Sequence, residues 1–145
     1  MPTIKTTIDI AASAEMVWRV LTDFPSYPKW NPVLREVLGR PEKGQRLKIR
    51  QRLTPERLKK FSSRVIRAIP ASELHWRASR FLEGLFDDQH SFIIVPNGVK
   101  GVRLIQRRRF SGLFAPFIIP IIGRQTKEAL ELMNSALKKV AEGKR

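Results

Sequence analysis

The chain has 145 residues, no cysteine, and a formal net charge of +15 from 28 basic and 13 acidic side chains. Such a length suits one domain, spanning 1–145, that buries about two-thirds of its unfolded surface; without cysteine, disulfides, thiolate metal sites and a cysteine nucleophile are excluded. No run approaches the ~20 apolar residues of a membrane span, and MPTIKTTIDIA lacks the apolar core and cleavage site of a signal peptide, so a soluble cytoplasmic protein is expected.

In chain order, Thr3 to Ile10 reads as a strand with Ile4, Thr6, Ile8 and Ile10 on one side. Ser13 is placed to cap a helix running to about Thr22, with Glu15 in its first turn and Val17, Trp18, Val20 and Leu21 at helical spacing. Pro25, Pro28 and Pro32 forbid a long continuation, while Phe24, Tyr27 and Trp30 need apolar surroundings, which predicts a short second helix folded against a sheet. Trp18 and Trp30 are read as architectural anchors. Strands follow at Val33 to Leu38, Gly44 to Leu53, Phe61 to Ile69, Glu73 to Arg80, Leu85 to Val95 and Val99 to Phe110, with Pro96-Asn97-Gly98 the strongest turn. From Ala115 onward, Ile118, Ile122, Thr126, Ala129, Leu130, Met133, Ala136, Leu137 and Val140 recur at three and four residues, a long closing helix in which Pro120 predicts a kink or a broken first turn.

The run Val17, Trp18, Leu21, Asp23, Tyr27, Pro28, Trp30, Asn31 and Pro32 resembles the N-terminal signature of the polyketide cyclase/dehydrase-like branch of the START/SRPBCC superfamily. Leu74-His75-Trp76, Gly84-Leu85-Phe86, His90-Ser91-Phe92 and Phe110-Ser111-Gly112-Leu113 resemble further elements of it, so the similarity covers nearly the whole chain. Pattern alone gives an α+β fold with an antiparallel sheet. The resemblance implies the helix-grip fold: a curved antiparallel sheet of about seven strands around the C-terminal helix, two short helices after the first strand, and an internal cavity that binds a ligand.

Strand parity names the side chains that face such a cavity. Phe86, Asp88, His90, Phe92 and Ile94 share one face, as do Leu104, Gln106, Arg108 and Phe110 on the next strand. Two pairing registers bury both apolar faces, setting His90 opposite either Gln106 or Arg108. Asp88, His90, Gln106 and Arg108 then form an inward polar cluster, joined by Gln51. A bulge near Glu83-Gly84 or Asp87-Asp88 would reverse the parity of Asp88. The cluster satisfies itself through Asp88–Arg108 and His90–Gln106 contacts, or it meets the head group of a ligand held by apolar neighbours. Where many relatives resemble HRETF, this chain has Gln106-Arg107-Arg108-Arg109-Phe110, an inward arginine in place of glutamate that suits a more anionic ligand. With the resemblance, Gln51, Trp76, Phe86, Asp88, His90, Phe92, Gln106, Arg108, Phe110 and Phe117 are candidate ligand contacts. His90 is the candidate catalytic acid/base.

The expected function is carriage or sensing of a hydrophobic or amphipathic small molecule such as a lipid or polyketide-like compound. The alternatives are a cyclase or dehydrase using His90, and a basic RNA- or ribosome-associated module. No metal or other cofactor is expected, because His75 and His90 fall on opposite faces of different strands and no phosphate loop or nucleophile elbow is present. Between Arg40 and Arg67 stand 11 basic residues against Glu42 and Glu56, but Arg46, Lys48, Arg50 and Arg52 alternate with apolar residues. That pattern favours a solvated sheet face over a nucleic-acid surface. The uncharged run Leu113 to Ile122 reads as the buried start of the closing helix. If Phe114, Phe117 and Ile121 were exposed instead, they would make a lid, an edge touching an anionic membrane, or a homodimer interface.

Overall fold

Ser13 begins the first helix as its spacing requires: its hydroxyl accepts the Met16 amide at 3.1 Å, and helix α1 (Ala14–Thr22) follows strand β1 (Thr3–Ile10). The computed structural model describes residues 2–54, 56–80, 84–99 and 101–143. Beyond α1 the prolines confine the chain to a 3₁₀ turn, Phe24–Ser26, and the single-turn helix α2 (Tyr27–Trp30). Phe24 and Tyr27 are buried edge to face, and the Tyr27 hydroxyl donates to the Leu21 carbonyl at 2.5 Å. Burial of that phenol pushes its pKa upward. Asn31 is the hinge out of this segment, its side-chain oxygen accepting the amides of Val33 and Leu34 at 3.0 and 2.8 Å. Trp18 and Trp30 pack, half-buried, against the same core.

Six further strands, β2 (Leu34–Leu38), β3 (Arg46–Thr54), β4 (Arg57–Ile69), β5 (Glu73–Arg80), β6 (Phe86–Pro96) and β7 (Val102–Ser111), complete an antiparallel sheet ordered β1-β7-β6-β5-β4-β3-β2. The chain closes with α3 (Ala115–Ala141), which packs on β1, β7 and α1. This is the α+β helix-grip fold. Strand β4 begins four residues before Phe61, because Arg57 to Lys60 pair with β3 although their side chains are exposed and carry no buried alternation. The Leu53 side chain lies outside the described residues.

Of the kink or broken first turn expected at Pro120, the broken turn does not occur: the helix continues through Pro120, which sits on its exposed side, so the missing amide removes one main-chain bond without ending the helix. The expectation of a buried start to α3 is corrected, since that start is not wholly buried. Only Ala115, Ile118, Ile119 and Ile122 turn toward the sheet, while Leu113, Phe114, Phe117 and Ile121 are exposed, Phe117 at 73% and Ile121 at 75%. A helix apolar on all sides has one face for one sheet. Gly112 sets the approach to α3: at φ +104° its Cα lies where a Cβ would stand 2.6 Å from the Leu85 carbonyl oxygen, and that carbonyl accepts the Phe114 amide at 2.8 Å.

The interior has two apolar clusters. The larger gathers Val17, Leu21, Phe24, Tyr27, Leu47, Ile49, Leu74, Trp76, Phe92, Leu104, Met133 and Leu137; the smaller holds Phe86, Phe110 and Ala115 under Ile118, Ile119 and Ile122. Along β6, Asp88 and His90 separate Phe86 from Phe92, and along β7, Gln106 and Arg108 separate Leu104 from Phe110. A polar belt therefore crosses the interior between the clusters.

Candidate functional site

The belt is positioned by the β6–β7 register, which runs unbroken from Asp87↔Ser111 to Pro96↔Val102. No bulge intervenes at Asp87-Asp88, and Asp88 points inward; Glu83 lies outside the described residues. Of the two registers allowed by parity, the one adopted sets His90 opposite Arg108 and Phe92 opposite Gln106. Side chains meet on the diagonals. His90 Nε2 lies 2.7 Å from Gln106 Oε1, Gln106 Nε2 donates to Asn134 Oδ1 at 2.6 Å, and Asn134 Nδ2 donates to Thr6 Oγ1 at 2.9 Å. This chain of donors ties β6, β7, α3 and β1 together and assigns the His90 proton to Nε2. Asn134 was not legible as a polar partner, because it occupies the buried side of α3 among Leu130, Met133 and Leu137.

Arg108 and Asp88 form the second half of the belt. Both are buried, and the guanidinium grips the carboxylate twice, with Nε to Oδ1 at 3.2 Å and Nη2 on Oδ2. The same guanidinium lies 5.1 Å from the centre of the Phe110 ring. Such a pair contributes little net stability over an apolar isostere but is costly to break from one side.

Two spaces flank the belt. Toward the larger cluster, a gap of about 10 Å³ touched by Trp76, His90 and Met133 has room for about one water. Toward the smaller cluster lies an open cleft of about 250 Å³, near the lower end of small-molecule sites. The stacked rings of Phe86 and Phe110, 5.6 Å apart, together with Ile118 and Ile122, make its apolar walls. Asp88, Arg108 and Gln51 stand at its inner end, Thr126 and Ala129 on α3 line it, and Arg52 and Lys59 bring positive charge from β3 and β4.

Of the ten expected contacts, Gln51, Phe86, Asp88, Arg108 and Phe110 therefore line the cleft. Trp76 and His90 reach only the small gap. Phe92 and Gln106 are fully enclosed and line neither space, since the larger cluster fills that part of the expected cavity. Phe117 points to solvent on the far side of α3. Ile118, Ile122, Thr126 and Ala129 were legible only as core stripe, because the pattern that buries a helix face also lines a cleft beneath it. Lys59 lay in a segment not read as strand.

His90 is 6% exposed, and burial, followed by the nearby Arg108 charge, lowers its pKa to about 3. It is neutral at pH 7 and a weak base. Unfolding raises its pKa to the ordinary 6.5, so between about 3 and 6.5 the unfolded chain binds the extra proton and stability falls as pH drops. We expect a loss on the order of 2 kcal/mol between pH 6.5 and 5, measured by urea unfolding. His90→Gln should lose most of that slope, and an unchanged slope would show that His90 is not held neutral. His75 faces the other side of the sheet, where its Nε2 lies 2.9 Å from Gln89 Oε1 and partial burial lowers its pKa. Among the described residues no group of three His, Asp or Glu side chains is arranged to hold a metal ion.

Residues 1–142 match the family described as polyketide cyclase / dehydrase and lipid transport. The chain belongs to this family. No curated protein matches it. Among solved structures, this family member is similar to a START superfamily protein from Mycobacterium smegmatis, with TM-score 0.76, 23% identity and 97% of each chain covered. It is also similar to a truncated norcoclaurine synthase from Thalictrum flavum, with TM-score 0.75, 15% identity, and 99% and 95% covered. A third likeness is to the di-domain ARO/CYC protein BexL, with TM-score 0.75, 15% identity, and 97% of this chain against 47% of the other. At these identities the likenesses establish the fold. The family fold supplies a ligand-binding domain, and among the described residues no helix is long and apolar enough to cross a membrane.

Proposed function

We propose that the protein binds one small amphipathic molecule in the open cleft and acts as its carrier or sensor. The observation that carries this reading is the pairing of an apolar-walled cleft of about 250 Å³ with a buried ion pair at its inner end. The ligand's apolar body lies between Phe86, Phe110, Ile118 and Ile122. Its polar end meets Gln51 and the Asp88–Arg108 pair, and Arg52 and Lys59 favour an anionic group. A cyclase reading would need His90 to exchange protons with a substrate, whereas its ring lies outside the cleft, is neutral, and has Nε2 engaged by Gln106. The exposed Leu113, Phe114, Phe117 and Ile121 at the start of α3, which do not line the cleft, form an edge that touches an anionic bilayer during loading or release.

The test is the fluorescence of 1-anilinonaphthalene-8-sulfonate, an amphipathic anion. Ile122→Trp, which fills the cleft, should weaken its binding about tenfold or more, a loss of ~1.4 kcal/mol or more. Phe117→Ser on the outer side should leave the affinity within about twofold. The reverse order of effects would place the probe on the exposed edge and refute the cleft as the site.

A further inference from the structure

The sheet surface turned away from α3 carries a second arrangement, visible only once the register is known. One row of directly opposed residues runs Lys5–Arg107–Ser91–His75–Arg67 across β1, β7, β6, β5 and β4. The next runs Thr3–Arg109–Gln89–Arg77–Arg64 and continues to Arg46 on β3. Like charges placed directly opposite each other destabilise a sheet, yet Lys5 faces Arg107, and Arg46, Arg64 and Arg77 stand in line, with Arg77 met by the Asp87 carboxylate at 3.1 Å. Elsewhere the same face matches its charges, as where Asp9 opposes Arg103 and the pair meets at 2.8 Å. Lys5 and Arg107 have no carboxylate partner among the described residues.

Between the two rows lies a groove of about 380 Å³ whose floor is made of hydrogen-bonding side chains, Ser91, Gln89 and His75, with Arg107 and Arg109 on one side and Arg67 on the other. Glu73 also lines it, held by Arg67 at 3.5 Å. Cations flanking neutral donors are the chemistry that grips phosphate oxygens. At about 4.8 Å per strand the five-strand row is about 19 Å across, a span that suits a polyanion better than a single small anion.

We propose that this outer face binds the phosphate backbone of nucleic acid, independently of the cleft and its ligand. No Phe, Tyr or Trp stands on either row, and the His75 ring is half-buried in the groove floor with its Nε2 2.9 Å from Gln89 Oε1, so bases are not stacked or read and binding is indifferent to sequence. A bilayer is the poorer occupant, because the two rows themselves carry no exposed apolar side chain. Ile66 and Ile69 beside them on β4 are two scattered residues, and the run of exposed apolar side chains Leu113, Phe114, Phe117 and Ile121 belongs to the start of α3, on the other layer.

Fluorescence anisotropy with labelled 20-nucleotide RNAs tests this. We expect a mixed sequence and oligo(U) to bind within about threefold of each other. Log K should fall with log salt at a slope of about −3, the value for four or five phosphates on a single strand. Lys5→Glu with Arg107→Glu and Arg109→Glu should cost at least thirtyfold at 0.1 M salt and leave the binding of 1-anilinonaphthalene-8-sulfonate unchanged. Arg107→Gln with Arg109→Gln, a milder change at exposed positions, should cost about tenfold. RNA affinity unchanged in both variants, preference above tenfold for one sequence, or retention by phosphatidylglycerol vesicles with no RNA binding would each overturn the proposal.

Discussion

Arg108→Leu should destabilise the protein by about 3–5 kcal/mol, because it strands the Asp88 carboxylate in a site where both partners are buried and doubly bonded. The pair closes the inner end of the cleft, so its partner cannot be replaced by bulk water at no cost. Asp88→Asn combined with Arg108→Leu should recover most of the loss, since no unpaired charge remains. Urea unfolding of the two variants measures this. A ligand that itself compensated Arg108 would give a different result: Arg108→Leu would keep its stability and lose only binding. The observed grip of Asp88 favours destabilisation.

Trp76→Ala should also cost about 3–5 kcal/mol. Trp76 is 2% exposed at the centre of the larger cluster, in ring contact with Phe24, His90 and Phe92 at 5.3 to 6.3 Å. It touches only the one-water gap and not the cleft. Its loss would leave a large cavity bordered by Met133 and the belt, while the cleft walls Phe110, Ile118 and Ile122 stay in place. Stability should therefore drop with little change in the affinity of 1-anilinonaphthalene-8-sulfonate at a temperature where the variant is folded. A large affinity loss with stability within about 1 kcal/mol of wild type would return Trp76 to the ligand site.

Much of the fold was legible because several uncommon residues have one structural use each. Ser13 caps, the prolines of residues 25 to 32 stop α1 and permit only short turns, and Asn31 and Gly112 make bends that few other residues would make. Strand parity also put Asp88, His90, Gln106 and Arg108 on the inward face, where they are found. What parity does not carry is depth. It gives Phe92 and Phe110 the same status, although one is sealed in the larger cluster and the other walls the cleft. Nor does it choose between two registers, and the choice decided that Arg108 reaches Asp88 diagonally while His90 reaches Gln106. The exposed start of α3 was misread for a related reason. A run apolar at every position shows that one face is buried without saying which face is left over.

The cleft as ligand site is tested most directly by methyl-detected NMR during titration with 1-anilinonaphthalene-8-sulfonate. The account predicts saturable shifts at the methyl groups of Ile118, Ile122 and Ala129, which line the cleft, with Leu113 and Ile121 on the exposed edge nearly unmoved. Shifts confined to Leu113 and Ile121, with Ile118, Ile122 and Ala129 silent at saturation, would contradict it.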